Sequence, residues 1–156
     1  MPEIDVVVPQ YGQVAHTLRF LASYKRHATL GTRLILVDNG SPPDELMRVT
    51  DELEGVDHIL IRNIENLGFV RATNQGMGMA TADFVVFQNN DTEIYEGCYQ
   101  GLKDVLLRHP KTGVVGAVSS PCGSWVGLDR VHKIYSDLRT IPGILEAQHP
   151  YRAHLM

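Results

Sequence analysis

The sequence holds only two cysteines, Cys98 and Cys122, and neither lies in a Cys-x-x-Cys pattern. A disulfide framework and a cysteine-rich zinc site are both excluded, and two ordinary thiols in a reducing compartment are expected. Its seven histidines show neither His-Glu-x-x-His nor Cys₂His₂ spacing and read as surface residues. Basic residues are outnumbered, Lys+Arg 14 against Asp+Glu 18, giving a net charge of −4. That balance argues against a surface built to coat nucleic-acid phosphates. No apolar run approaches the roughly 18 residues of a membrane span. The opening Met-Pro-Glu-Ile-Asp carries acid where a signal peptide carries Lys or Arg, so a cytoplasmic chain is expected. Nucleotide fingerprints are missing too. The first strand-like run is followed by Pro9-Gln10-Tyr11-Gly12, with one glycine where a dinucleotide site needs Gly-x-Gly-x-x-Gly. Gly76-Met77-Gly78 precedes a strand instead of following one, and no Gly-Lys-Ser/Thr exists.

What is present is ordinary globular composition, 44% hydrophobic and 21% charged over 156 residues, enough for one domain with a substantial core. Short apolar runs alternate with longer amphipathic ones. Strands are expected at Ile4–Pro9, Arg33–Asp38, His58–Asn63 and Phe84–Asn89, with a fifth at Gly113–Val118. Helices are expected over Gln13–His27, Pro43–Leu53, Val70–Ala80 and Tyr95–Arg108, the second opening on Pro42-Pro43-Asp44-Glu45. Met77 and Met79 read as interior filler. The alternation predicts an α/β fold with a mostly parallel sheet flanked by helices. Beyond Val118 the pattern loosens, which suggests residues 1–118 as an α/β domain and 119–156 as an irregular continuation.

An open parallel sheet binds its ligand outside the carboxyl ends of the strands. The segments at those ends are Pro9-Gln10-Tyr11-Gly12, Asp38-Asn39-Gly40-Ser41, Asn63–Gly68 and Asn89-Asn90-Asp91-Thr92. Turn chemistry alone favours Asn, Asp, Gly and Ser, so each cluster taken singly says little. Their coincidence at one rim points to a polar ligand. Asp91, delivered by Phe84-Val85-Val86-Phe87, suits a hard Mg²⁺ or Mn²⁺ ion completed by substrate phosphates. The alternative is that Asp91-Thr92 caps a helix beginning near Tyr95, with Glu93 as a helix-start acid. Trp125 is open to two readings, stacking on a sugar or packing in the core.

The succession Val-Val-Val-Pro-Gln-Tyr, Leu-Val-Asp-Asn-Gly-Ser, Asn66-Leu67-Gly68-Phe69-Val70-Arg71-Ala72-Thr73-Asn74-Gln75-Gly76 and Asn89-Asn90-Asp91-Thr92 resembles the donor-binding half of family-2 glycosyltransferases with the GT-A fold. The match runs in order from about Ile4 to Val118. The resemblance implies a nucleotide-diphospho-sugar donor, a saccharide or lipid-linked acceptor, and a part in cell-surface polysaccharide synthesis. It implies that Pro9 and Tyr11 line the base pocket, and that Asp38, at an exposed strand end, accepts a hydrogen bond from base or ribose. Asn39 and Ser41 would shape that loop, and Asn66 and Gly68 would hold the turn beside the nucleotide. Arg71 and Asn74 would project toward the donor from the next helix, with surface pairing the other reading for Arg71. Asn89-Asn90-Asp91 would take the place of the Asp-x-Asp motif, with Asp91 the metal ligand and Asn90 near ribose or sugar.

Two positions depart from that pattern: Asn89 stands for Asp, and Gly12 for the usual Asn. The residues after Asp91 contain no Glu-Asp or Asp-Asp pair. Asp129, Asp137 and Glu146 stand alone and read as surface residues, so no general base is nominated. The expectation is an inverting, metal-assisted glycosyltransferase represented by its donor half, slow or inactive in isolation, with peripheral membrane contact and oligomeric state left open. The alternatives are a non-catalytic nucleoside-diphosphate-binding or assembly module, and a sugar nucleotidylyltransferase. The latter needs a Gly-rich basic loop after the first strand, which Pro9-Gln10-Tyr11-Gly12 does not supply.

Overall fold

The structure is a computed structural model that describes residues 1–28 and 30–117. Eight elements follow in the order β1 (Ile4–Gln10), α1 (Val14–His27), β2 (Thr32–Asp38), α2 (Pro43–Glu52), β3 (His58–Arg62), α3 (Phe69–Met79), β4 (Phe84–Phe87) and α4 (Cys98–Arg108). The chain divides into two compact units, Met1–Tyr99 and Gln100–Met156.

In the first unit the four strands form one wholly parallel sheet in the order β3-β2-β1-β4. The chain winds outward from β1 to β3 and returns to place β4 on the other side of β1. Strand order therefore reverses between β1 and β4, which makes their carboxyl ends the topological switch point.

Side-chain alternation assigns the two faces. Ile4, Val6, Val8, Leu34 and Leu36 pack in one core with Val14, Phe20, Leu21 and Tyr24 of α1 and Val49 of α2. The odd-numbered residues face α3, whose Gly76 lies so close that a Cβ there would overlap Val7 Cγ1 and stand 3.2 Å from Val37 Cγ2. Helices on both faces explain why β1 is buried throughout and β2 everywhere but Arg33, and why both carry continuous apolar runs. Asp5 interrupts the run on β1. It is buried at the amino edge, where Arg33 Nε and Nη2 reach Oδ1 and Oδ2 at 2.8 and 2.9 Å. The backbone N–H groups of Thr81 and Ala82 also donate to Oδ2, at 2.7 and 2.9 Å, closing the turn into β4.

Pro9 sits in a central strand without loss. Gln10 directs its carbonyl toward β2, accepting from Asn39 N at 2.8 Å, whereas Val7 directs its own toward β4 and accepts from Gln88 N at 3.0 Å. By alternation Pro9 faces the β4 side. The β1–β4 ladder ends at Val7–Phe87, so its missing N–H removes no ladder bond.

Several expectations need correction. Residues 113–117 carry no strand, and Val118 lies outside the described residues. β4 ends at Phe87 instead of Asn89, and α4 begins at Cys98 instead of Tyr95. Neither Asp91 nor Glu93 therefore starts a helix. Met77 and Met79 are 49% and 46% exposed, on the outer side of α3, and are not interior filler. Cys122, Trp125, Asp129, Asp137, Glu146, His132, His149 and His154 lie outside the described residues.

Candidate functional site

The carboxyl edge gathers the polar residues singled out by sequence. Gln10 and Asp38 are register partners at the ends of β1 and β2, so their side chains emerge on one face. Gln10 Nε2 donates to Asp38 Oδ1 at 2.6 Å and to Ser41 Oγ at 3.2 Å. Ser41 N also donates to Asp38 Oδ1, at 3.3 Å, and Gly12 N donates to Ser41 Oγ at 3.0 Å. Asp38 is fully buried and does not sit at an exposed strand end as expected. Its Oδ2 has no hydrogen-bond partner among the described residues. A buried carboxylate oxygen left without a donor is costly, so a donor beyond the described residues is called for.

The loop from β1 into α1 turns sharply. Gly12 has φ 56 and Gln13, the residue before α1, has φ 48. Gly and Asn are the residues that reach this left-handed region most readily. Gly12, where the resemblance leads one to expect Asn, suits that turn. Tyr11 stands 55% exposed on this loop, while Pro9, near the end of β1, is buried.

Asn39 staples the next loop. Its Oδ1 accepts from Asn63 Nδ2 and from Leu67 N, both at 3.0 Å. Its Nδ2 donates to Asn66 Oδ1 at 2.8 Å and to the Gly68 carbonyl at 3.4 Å. Asn66 Oδ1 also accepts from Gly68 N at 2.8 Å. Both polar ends of Asn39 are thus engaged, and it shapes the rim by holding the loop. Gly40 makes this approach feasible, with φ 88 and the Glu65 carbonyl carbon 2.7 Å from where a Cβ would stand. Arg71 and Asn74 are exposed on α3, and Arg71 makes no ion pair among the described residues.

The turn after β4 is brought to the same edge. Asn90 Nδ2 donates to Thr17 Oγ1 at 3.0 Å, and Thr17 Oγ1 donates to Gln10 Oε1 at 2.9 Å. Further along, Ile94 N donates to Ser23 Oγ at 3.1 Å. Within the turn Thr92 Oγ1 donates to the Asn89 carbonyl at 2.7 Å and accepts from Gln88 Nε2. Asp91 and Asn89 are exposed, and Asn90 is half-buried. Among the described residues no three His, Cys, Asp or Glu side chains converge as a metal cage. A cation at Asp91 would take its remaining oxygens from a ligand, and an exposed single carboxylate fits that mode.

Gln10 and Thr17 were not nominated from sequence. The signal was present: Thr17 lies between Val14 and Leu21 on the buried stripe of α1, and a hydroxyl there has to find a partner.

Comparison with known proteins gives a consistent pattern. The model of "Glycosyl transferase family 2" matches residues 5–152. The chain is 23% identical over 105 residues to "Uncharacterized glycosyltransferase YibD" of Escherichia coli (strain K12), an alignment covering 67% of this chain and 30% of that protein. The crystal structure of S. aureus TarS 1-349 superposes with a TM-score of 0.63 at 19% identity, covering 78% of this chain and 39% of that one. The same TarS segment in complex with UDP-GlcNAc gives a TM-score of 0.63 at 17% identity, over 78% and 39% of the two chains. The chain thus spans well under half the length of each of these relatives. The shared architecture is the GT-A fold.

Proposed function

Because the chain belongs to glycosyl transferase family 2, we propose that its carboxyl edge binds a nucleotide-diphospho-sugar and presents the sugar for transfer to an acceptor hydroxyl. One observation carries this reading. Asp38, on the strand beside the switch point, holds a buried carboxylate oxygen with no partner among the described residues, and its other oxygen is hydrogen-bonded through Gln10 and Thr17 to the turn that bears Asp91. A nucleobase N–H or a ribose hydroxyl supplies the donor that Asp38 Oδ2 lacks. Tyr11 offers an aromatic face for the base, and the loop held by Asn39, Asn66 and Gly68 forms the wall beside it. Arg71, exposed on the first turns of α3, is free to meet phosphate.

A Mg²⁺ or Mn²⁺ ion held by Asp91 would supply charge neutralisation for the departing nucleoside diphosphate. The chain's own residues bind and orient the donor so that the anomeric carbon is open to attack from the side opposite the diphosphate, which gives inversion. The acceptor, saccharide or lipid-linked, and the base that deprotonates it are not assigned to residues of this chain. The UDP-GlcNAc bound by TarS makes a uridine nucleotide the first donor to test.

Calorimetric titration with UDP in the presence of Mn²⁺ tests the proposal. Wild type should bind, and Asp38→Asn should weaken binding by at least tenfold, because its Nδ2 can no longer accept the ligand's proton donor. The same substitution removes a buried carboxylate, and its Oδ1 can still accept from Gln10 and Ser41, so the thermal midpoint should not fall. Equal UDP affinity in wild type and Asp38→Asn would remove Asp38 from the site. Replacing Mn²⁺ with EDTA should weaken UDP binding in wild type.

A further inference from the structure

Within the nucleotide reading above, on which this inference rests, we propose that Gln10 and Thr17 are positioning residues, a buried hydrogen-bond relay that sets the Asn89-Asn90-Asp91 turn in register with Asp38. The relay runs in one direction. Asn90 Nδ2 donates to Thr17 Oγ1, Thr17 Oγ1 donates to Gln10 Oε1, and Gln10 Nε2 donates to Asp38 Oδ1. Each bond fixes the next. The carboxylate fixes the Gln10 amide with its nitrogen toward Asp38, which leaves Oε1 to accept the Thr17 proton. The Thr17 oxygen then presents its lone pairs to Asn90, so the Asn90 amide turns its nitrogen inward and its Oδ1 away from Thr17. In that orientation Oδ1 is an acceptor for a hydroxyl of the donor's transferred sugar.

Packing does not explain these residue types. Thr17 is fully buried and Gln10 3% exposed, on the face otherwise occupied by Val6, Val8, Val14, Leu21, Leu34 and Leu36. Valine matches threonine in shape and would fill the α1 position without needing partners. What the polar pair adds is a connection between two loops that share no strand pairing, since the β1–β4 ladder stops at Val7–Phe87. Asp38 serves the base end of the donor, and the 89–91 turn serves the diphosphate and sugar. The relay therefore fixes the distance between the two ends of one ligand.

Two variants test this against wild type. Thr17→Val keeps the shape and removes both relay bonds, and Thr17→Ser keeps the hydroxyl. Titrations with uridine and with UDP plus Mn²⁺ separate the two ends of the site. The relay predicts that Thr17→Val weakens UDP about tenfold, leaves uridine within twofold, and that Thr17→Ser restores UDP affinity. Without ligand, backbone amides of residues 89–92 should exchange about tenfold faster in Thr17→Val than in wild type, with β1 and β2 amides unchanged. Equal loss of uridine and UDP affinity would mean general loosening and would overturn the relay. Unchanged exchange at 89–92 in Thr17→Val would overturn it as well. A wild-type protein that binds neither uridine nor UDP sinks the nucleotide reading alone, and the amide exchange then still decides for or against the relay.

Discussion

Two buried aspartates at opposite edges of the sheet do opposite work. Asp5, at the amino edge, has its charge fully met. Burial pushes its carboxyl up, but hydrogen bonds from Arg33 and from the backbone of Ala82 and Thr81, together with the Arg33 charge, outweigh that and hold it below its ordinary 3.8. A carboxyl depressed in the folded state contributes stability that is complete above its unfolded value and is lost as pH falls through the folded one. Asp5→Asn should therefore destabilise the fold at neutral pH by about 3 kcal/mol, because it leaves Arg33 partly buried and unpaired. Urea unfolding at pH 7 and pH 3 checks this, and the difference between variant and wild type should shrink at the lower pH. Asp38, at the carboxyl edge, has one oxygen left without a partner among the described residues. The sequence made Asp38 visible as a strand-end acid but not its burial. Burial depends on Gln10 and Ser41 closing over it, and a residue 28 positions away cannot be read from local pattern.

Among the elements, strands and helices were legible because their periodicities are strong and their boundaries carry Gly, Pro and Asn. Residues 113–117 carry no strand although Val114 and Val115 supply β-propensity, because they have no partner strand among the described residues and propensity alone does not make a sheet. The α3 methionines were misread for a related reason. Only Ala72 and Gly76 of that helix are buried, so the small residues, not the large ones, mark its inner face. That contact yields a sharp expectation. Gly76→Ala adds a methyl where Val7 Cγ1 already sits, so α3 must shift from the sheet at a cost of about 1–3 kcal/mol. Because α3 carries Arg71 and is tied to the rim through the paired amides of Gln75 and Asn63, at 2.8 and 3.0 Å, UDP affinity should fall with it. Gly78→Ala, with nothing within 4 Å, is the control and should be neutral or slightly stabilising. Equal thermal midpoints for the two variants would contradict this account of the packing.

At the scale of the whole molecule, a parallel sheet whose strand order reverses beside β1 collects four loops at one edge, and side-chain hydrogen bonds join all four into a continuous rim. Family membership follows from the match across residues 5–152, and the position of the switch point gives a physical reason why the shared motifs fall where they do. Donor and acceptor identities were not legible, because they depend on the shape of a pocket and not on residue type along a strand. The most direct test is a crystal structure of this chain with UDP and Mn²⁺. The account predicts the uracil or ribose within hydrogen-bond distance of Asp38 Oδ2 and the diphosphate beside Asp91. Nucleotide density at the amino edge near Tyr24, Thr32 and Val56, with the carboxyl edge empty, would contradict it.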